Sequence, residues 1–214
     1  MKTNRVLALV AAFLAVAAVP AGAEVIAFSG QLSDQDQPDA GVFDAQVVWS
    51  FDVGTSVLTM EISNQTTAPD TYTLSELFFN VSSDVTSLSI LNDGSLTNTA
   101  LTQNSSAGPF GTYDYEFDFG DPGNAGLASG GTVTVTFLVG GSNLDVLDFF
   151  NGLPSGGSPD FFGNLAVVKW SQGPNDDSVF AGNLPGGVVP EPATLGLLGL
   201  GLASLALYRR KNHS

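Results

Sequence analysis

Apolar and polar residues alternate through much of the middle of the chain. In segment 131–139, Val133, Val135, Phe137 and Val139 fall on one side and Thr132, Thr134 and Thr136 on the other. That is the period of two of a half-buried strand. Val47, Trp49, Phe51 and Val53 repeat in the same way, and Gly54-Thr55-Ser56 then reads as a hairpin turn into a strand over 57–62. Further strands are expected over 25–32, 72–81, 85–91, 112–119, 164–170 and 178–181, about nine in all, separated by clusters of Gly, Asn, Asp, Ser and Pro. Only segment 143–151 hints at a helical turn, through Leu144, Leu147 and Phe150. Many short strands with polar turns predict an all-β domain, a single β-sandwich or jelly roll. Phe is abundant, and Phe78-Phe79, Phe149-Phe150 and Phe161-Phe162 are paired. A pair on one strand points to both faces, so one ring enters the core and the other needs a cover or a partner.

The alternation stops at both ends, where continuous apolar runs replace it. Residues 1–23 have the layout of a secretory signal peptide: Lys2 and Arg5, an apolar stretch over 6–19, Pro20, and then Ala21-Gly22-Ala23. The small-x-small pattern of Ala21 and Ala23 is what a signal peptidase accepts, which puts the cut before Glu24. Export through a translocon follows. At the other end an apolar run over 193–208 is followed at once by Arg209, Arg210 and Lys211. Sixteen helical residues at ~1.5 Å each reach about 24 Å, short for a bilayer core of ~30 Å but able to cross with local thinning. The basic triplet holds its end in the cytoplasm, as Lys2 and Arg5 do at the start. Both ends therefore place segment 24–189 outside the inner membrane. The expected organisation is a signal peptide over 1–23, an ectodomain over 24–182, a linker over 183–189 and a terminal unit over 190–214.

That terminal unit, with Pro190, Glu191 and Pro192 ahead of the apolar run and the basic cluster after it, resembles a PEP-CTERM sorting signal. The two prolines fix φ and remove two donors, so the stretch is extended and cannot join the helix behind it. An unpaired, extended backbone beside the bilayer suits a protease cleft, and Glu191 adds a charge to recognise. The resemblance implies processing by exosortase, a multipass membrane enzyme. It also implies a Gram-negative-type bacterium that makes exopolysaccharide and lives in biofilms, sediments or water.

Composition narrows what the exported part can do. The chain has 214 residues, no Cys and one His, His213, at its extreme end. Disulfides, thiolate metal sites and Cys nucleophiles are thus excluded, and no Ser-His-Asp triad or His-ligated metal centre can form within the fold. Segment 24–189 holds 20 of the 21 acids and, of the basic residues, only Lys169, for a formal net charge of −19. So acidic a surface repels nucleic acid and anionic lipid and keeps the domain soluble.

The most suggestive constellation is residues 113–121, YDYEFDFGD. On a strand, Asp114, Glu116 and Asp118 share one face at ~6.6–7 Å spacing, with the aromatic residues on the other. The pattern fits an ordinary acidic solvent face, water-bridged Ca²⁺, or two carboxylates placed for glycoside hydrolysis. Asp34, Asp36 and Asp39 form a second acidic patch, but the EF-hand positions for Gly and Glu hold Asp39 and Ala45. Asn64, Asn80 and Asn104 each begin an N-x-Ser/Thr triplet. No catalytic residue, metal site or cofactor is assigned. The expected role is structural or adhesive, in a surface layer or polysaccharide matrix. The alternatives are a carbohydrate-binding module, with Trp49, Trp170 and Tyr115 as sugar-stacking rings, and a glycosidase or lyase using only carboxylates and Tyr.

Overall fold

The computed structural model describes residues 23–33, 44–66, 72–120, 126–150, 152–158, 163–171 and 178–183. Among the described residues there are ten strands: β1 (Ala23–Ser33), β2 (Asp44–Asp52), β3 (Val57–Asn64), β4 (Thr73–Phe79), β5 (Val85–Asn92), β6 (Ala100–Ser106), β7 (Thr112–Asp118), β8 (Thr132–Gly141), β9 (Ala166–Ser171) and β10 (Val179–Asn183). The only helical pieces among the described residues are two 3-10 turns, Gly108–Phe110 and Val146–Phe149. The second falls where a helical turn is expected. The fold is all-β, as the alternation predicts. Segment 24–189 is one compact unit.

Alternation becomes burial strand by strand. In β8, Val133, Val135, Phe137 and Val139 are buried, while Thr132 and Thr134 are exposed. In β3, Leu58, Met60 and Ile62 face inward, paired with Phe51, Trp49 and Val47 of β2. The β2–β3 turn starts one residue earlier than the pattern suggests. Val53 belongs to the turn and is exposed, because the Asp52 carboxylate accepts from Gly54 N and Thr55 Oγ1, both at 2.8 Å, and closes the loop there.

The strands form one sheet, in the order β5-β8-β3-β2-β1-β10-β9-β4-β7-β6. The pairings of β3 with β2 and β8, of β8 with β5, and of β4 with β7 and β9 are antiparallel. Where two packed sheets are expected, a single sheet curls until its halves face each other. Phe137 of β8 meets Phe117 of β7 edge to face at 5.4 Å between ring centres, although those strands lie near opposite ends of the order. Trp49 of β2 likewise meets Phe79 of β4 at 5.1 Å. The enclosed core is rich in such rings, with Trp49, Trp170, Phe117, Phe119, Phe137 and Phe149 all fully buried. Large aromatic side chains fill the interior without disulfides.

An irregularity in strand β4 decides what that strand turns outward. Its register with β9 shifts between Leu74 and Glu76, a β-bulge at Ser75. Leu74, Leu77 and Phe79 all enter the core, a spacing of three and then two, which a regular strand cannot supply. The extra residue is held in place: Ser75 Oγ donates to Lys169 O at 3.1 Å and accepts from Ser171 Oγ at 2.7 Å, and Ser75 O accepts from Phe119 N at 2.9 Å. Phe78 therefore points away from its neighbour Phe79. It enters a second small core with Ala107, Phe110, Tyr113 and Val167, bordered by Phe180. The turn Gly108–Phe110 covers that core. At Gly111, with φ +104°, a Cβ would lie 2.9 Å from Ser155 O, so only glycine fits where the chain passes this segment.

Candidate functional site

Strand β7 presents its residues as expected: Tyr113, Tyr115 and Phe117 are buried, and Asp114, Glu116 and Asp118 lie on the outer face. Each carboxylate already accepts a hydrogen bond. Asp114 Oδ2 accepts from Val81 N at 3.0 Å, Glu116 from Ser105 Oγ, and Asp118 Oδ1 from Gly120 N at 2.8 Å. Beside them, Glu76 of β4 pairs in register with Asp118 and with Lys169 of β9. Lys169 Nζ donates to Glu76 Oε1 at 2.6 Å and sits 5.6 Å from the centre of the Phe180 ring. Burial nonetheless pushes the Glu76 carboxyl above its ordinary value. The Lys169 bond and charge pull it down, and the Glu116 and Asp118 charges add to the upward push. Among the described residues, no three His, Cys, Asp or Glu side chains gather to hold a metal ion.

The three rings expected to stack on sugar are not available. Trp49 and Trp170 are fully buried and Tyr115 is 6% exposed. All three belong to the main core, because each falls on the inward face of its strand. The N-x-Ser/Thr triplets divide in the same way. Asn64 is buried, and its amide donates to Tyr72 O at 2.9 Å and Leu127 O at 2.8 Å while accepting from Trp170 Nε1 and Thr66 N, each at 3.3 Å. Asn80 is also buried, donating to Gly152 O at 3.3 Å and accepting from Asp114 N at 2.9 Å. Only Asn104 is exposed.

A polar groove of about 370 Å³ lies along the seam of the nearly closed sheet. Its walls come from the β4–β5 loop on one side, with Ser82 and Ser83, and from β6 and β7 on the other, with Gln103, Asn104, Asp114 and Tyr115. The loop is fastened from below: Ser82 Oγ donates to Asp148 Oδ1 at 2.6 Å, and Asp148 Oδ2 accepts from Asp145 N at 2.7 Å in the capping box of the turn Val146–Phe149. Asn104 lies opposite Asp114, between the register pairs Gln103–Tyr115 and Ser105–Tyr113, and takes the left-handed conformation at φ +53°. Sequence reasoning finds Asp114 but not Gln103 or Ser83. Nothing in a polar run signals a wall until pairing places it beside another strand.

The predicted signal-peptidase site falls at the edge of the described region. Ala23 opens β1 and is buried, Glu24 follows it, and Ala21 lies outside the described residues. Asn183, placed at the head of the linker, is instead the last residue of β10, where its Oδ1 accepts from Leu165 N at 2.6 Å and Ala166 N at 3.2 Å. The rest of the linker, Pro190, Glu191, Pro192, the apolar segment 193–208 and Arg209, Arg210 and Lys211 lie outside the described residues, as do residues 1–22, Asp34, Asp36, Asp39 and the Phe161-Phe162 pair. Among the described residues, no helix is long and apolar enough to cross a membrane.

Function is carried most specifically by the tail, in which Pro-Glu-Pro, an apolar run and a basic cluster succeed one another. Residues 188–211 match the PEP-CTERM protein-sorting motif. The PEP-CTERM motif implies an exported protein with a membrane-anchored sorting signal that exosortase processes. The match takes in all three parts of the tail, and it leaves the ten-stranded domain outside it. No curated protein and no solved structure matches the chain.

Proposed function

We propose that the chain is a non-catalytic surface or extracellular-matrix protein of a Gram-negative-type bacterium, structural or adhesive in role. In this reading it leaves the cytoplasm by a signal peptide cut between Ala23 and Glu24. It is then held in the inner membrane by segment 193–208, with Arg209, Arg210 and Lys211 on the cytoplasmic side. Exosortase cuts near Pro190, Glu191 and Pro192 and frees the domain to join an exopolysaccharide matrix. The observation that carries the reading is the PEP-CTERM match at 188–211. The charge of segment 24–189 supports it, since a domain with 20 acids and one Lys stays dispersed in a salt-containing exterior. The burial of Trp49, Trp170 and Tyr115 removes support for a sugar site built on those rings.

Intact-mass analysis of the protein from cells with and without active exosortase tests this function. The expected mass lacks segment 193–208 only where the peptidase is active. Retention of that segment in both strains would overturn the proposal.

A further inference from the structure

We infer that the seam groove is a binding site for a neutral saccharide, recognised by hydrogen bonding at Asp114, Asn104 and Ser83 rather than by ring stacking. The inference rests on the domain acting outside the cell, and it names a ligand class for that setting. The groove's free polar groups converge from two sides. Asp114 uses Oδ2 on Val81 N and leaves Oδ1 without a partner among the described residues. The Asn104 amide and the Ser83 hydroxyl likewise have none. Gln103 is fixed in the wall by donating to Tyr115 Oη at 3.3 Å, and Tyr115 is stacked on Phe79 at 5.8 Å. The backbone at Asp114 is anchored by the buried Asn80 side chain. The wall is therefore held from behind, and its exposed polar groups in front are open to solvent.

The chemistry of that set selects the ligand. A carboxylate accepts from two hydroxyls, and a carboxamide donates to one hydroxyl and accepts from the next, which is the pattern of vicinal hydroxyls on a pyranose ring. The volume, about 370 Å³, falls at the low end of small-molecule sites (~300–1,000 Å³). Anionic ligands are disfavoured, because Asp114 is the groove's charged residue and the domain around it carries −19.

The test titrates the full chain in detergent with cellohexaose, maltohexaose and hexagalacturonate, following the side-chain amide NMR signals of Gln103 and Asn104. At least one neutral hexasaccharide is expected to move both signals, and hexagalacturonate to bind at least tenfold more weakly. Asp114→Asn keeps an acceptor for Val81 N but removes the charge. Asn104→Gly keeps the left-handed conformation but removes the amide. Each is expected to weaken binding about tenfold or more, with the thermal midpoint held within a few degrees. No movement with either neutral sugar at millimolar concentration, unchanged binding in both variants, or preferential binding of hexagalacturonate would overturn the site. Protease accessibility on whole cells separates this result from the proposed function. An exterior chain that binds neither neutral sugar refutes the groove alone, and a cytosolic chain refutes the proposed function while leaving the binding data standing.

Discussion

Asn64 is a buried side chain that uses its whole hydrogen-bonding capacity. Its two donors reach Tyr72 O and Leu127 O, and its oxygen accepts from Thr66 N and Trp170 Nε1. It thereby ties the end of β3 to the start of β4, to segment 126–131 and to β9. Asn64→Asp changes almost no volume, but it removes one donor when protonated and both when ionised, when it turns a carboxylate toward two carbonyl oxygens. Leu127 O keeps a second donor, Leu74 N at 3.0 Å. Protonated, the new carboxyl still donates one hydrogen bond, so one bond of the two is lost, at a cost of about 1–2 kcal/mol. Burial raises that carboxyl's pKa, and each unit by which it is raised adds ~1.4 kcal/mol once the pH exceeds it. The expected loss is therefore about 1–2 kcal/mol at pH 4.5 and about 3–5 kcal/mol at pH 7.5, against a total of ~5–15 kcal/mol. Urea unfolding followed by the fluorescence of the two buried residues Trp49 and Trp170 reads it directly. At a slope of ~2 kcal/mol/M, 4 kcal/mol lowers the midpoint by about 2 M. Asn64→Ala is the control, with a loss of about 3–4 kcal/mol that does not depend on pH. A loss under ~1 kcal/mol for Asn64→Asp, or the same loss at both pH values, would refute the reasoning.

Three further expectations follow from the outer face. Phe78→Ala empties the small core under the Gly108–Phe110 turn and should cost about 3–4 kcal/mol in the same unfolding assay, whereas Phe180→Ala, at the border of that core, should cost about half as much. Lys169→Met leaves Glu76 without its cation; the pair is half-buried, so a loss of about 1–2 kcal/mol is expected at neutral pH, shrinking in acid as Glu76 takes a proton. Calorimetric melting across pH should rise and then fall. Glu76, raised by burial, binds its proton earlier in the folded state, so its contribution is full below its ordinary value of 4.5 and is lost as the pH climbs through the raised value. Asp52, lowered by its bonds from Thr55 and Gly54, contributes above its ordinary value of 3.8, and this is lost as the pH falls through the lowered one. The midpoint should therefore increase from pH 7 towards about 4.5 and decrease below about 3.8, and Glu76→Gln should flatten the first limb.

What the sequence discloses depends on how many sides of a residue are buried. Strands with one wet face are plain in it, as in 131–139, where Thr and Val alternate and the structure buries every Val and Phe. The hairpin of β9 and β10 and the outward acids of β7 are legible for the same reason. Strand β6 escapes, because ALTQNSS has no apolar alternation. It is the last strand of the sheet, solvated on most of its surface, and only its pairing with β7 defines it. The three candidate sugar rings mislead for a physical reason: Trp and Tyr serve equally as sugar platforms and as large core fillers, and strand parity assigns these three to the interior. Closure into one sheet also leaves no local trace, since it is set by contacts such as Phe117 with Phe137, twenty residues apart in sequence. The sorting tail is fully legible, because its recognition depends on a linear order of residue types and not on a fold.

Strand β4 would be an ordinary ribbon but for Ser75. Counted as a regular strand residue, that serine would send Glu76 to an inward berth and Leu77 to an outward one, while Phe78 and Phe79 would exchange sides. One small residue thus acts as a phase slip for the whole wall. Upstream and downstream of it the same rule of alternation holds, but with opposite sign, which lets a single strand serve two interiors on its two sides and still leave its carboxylate opposite the domain's lone lysine.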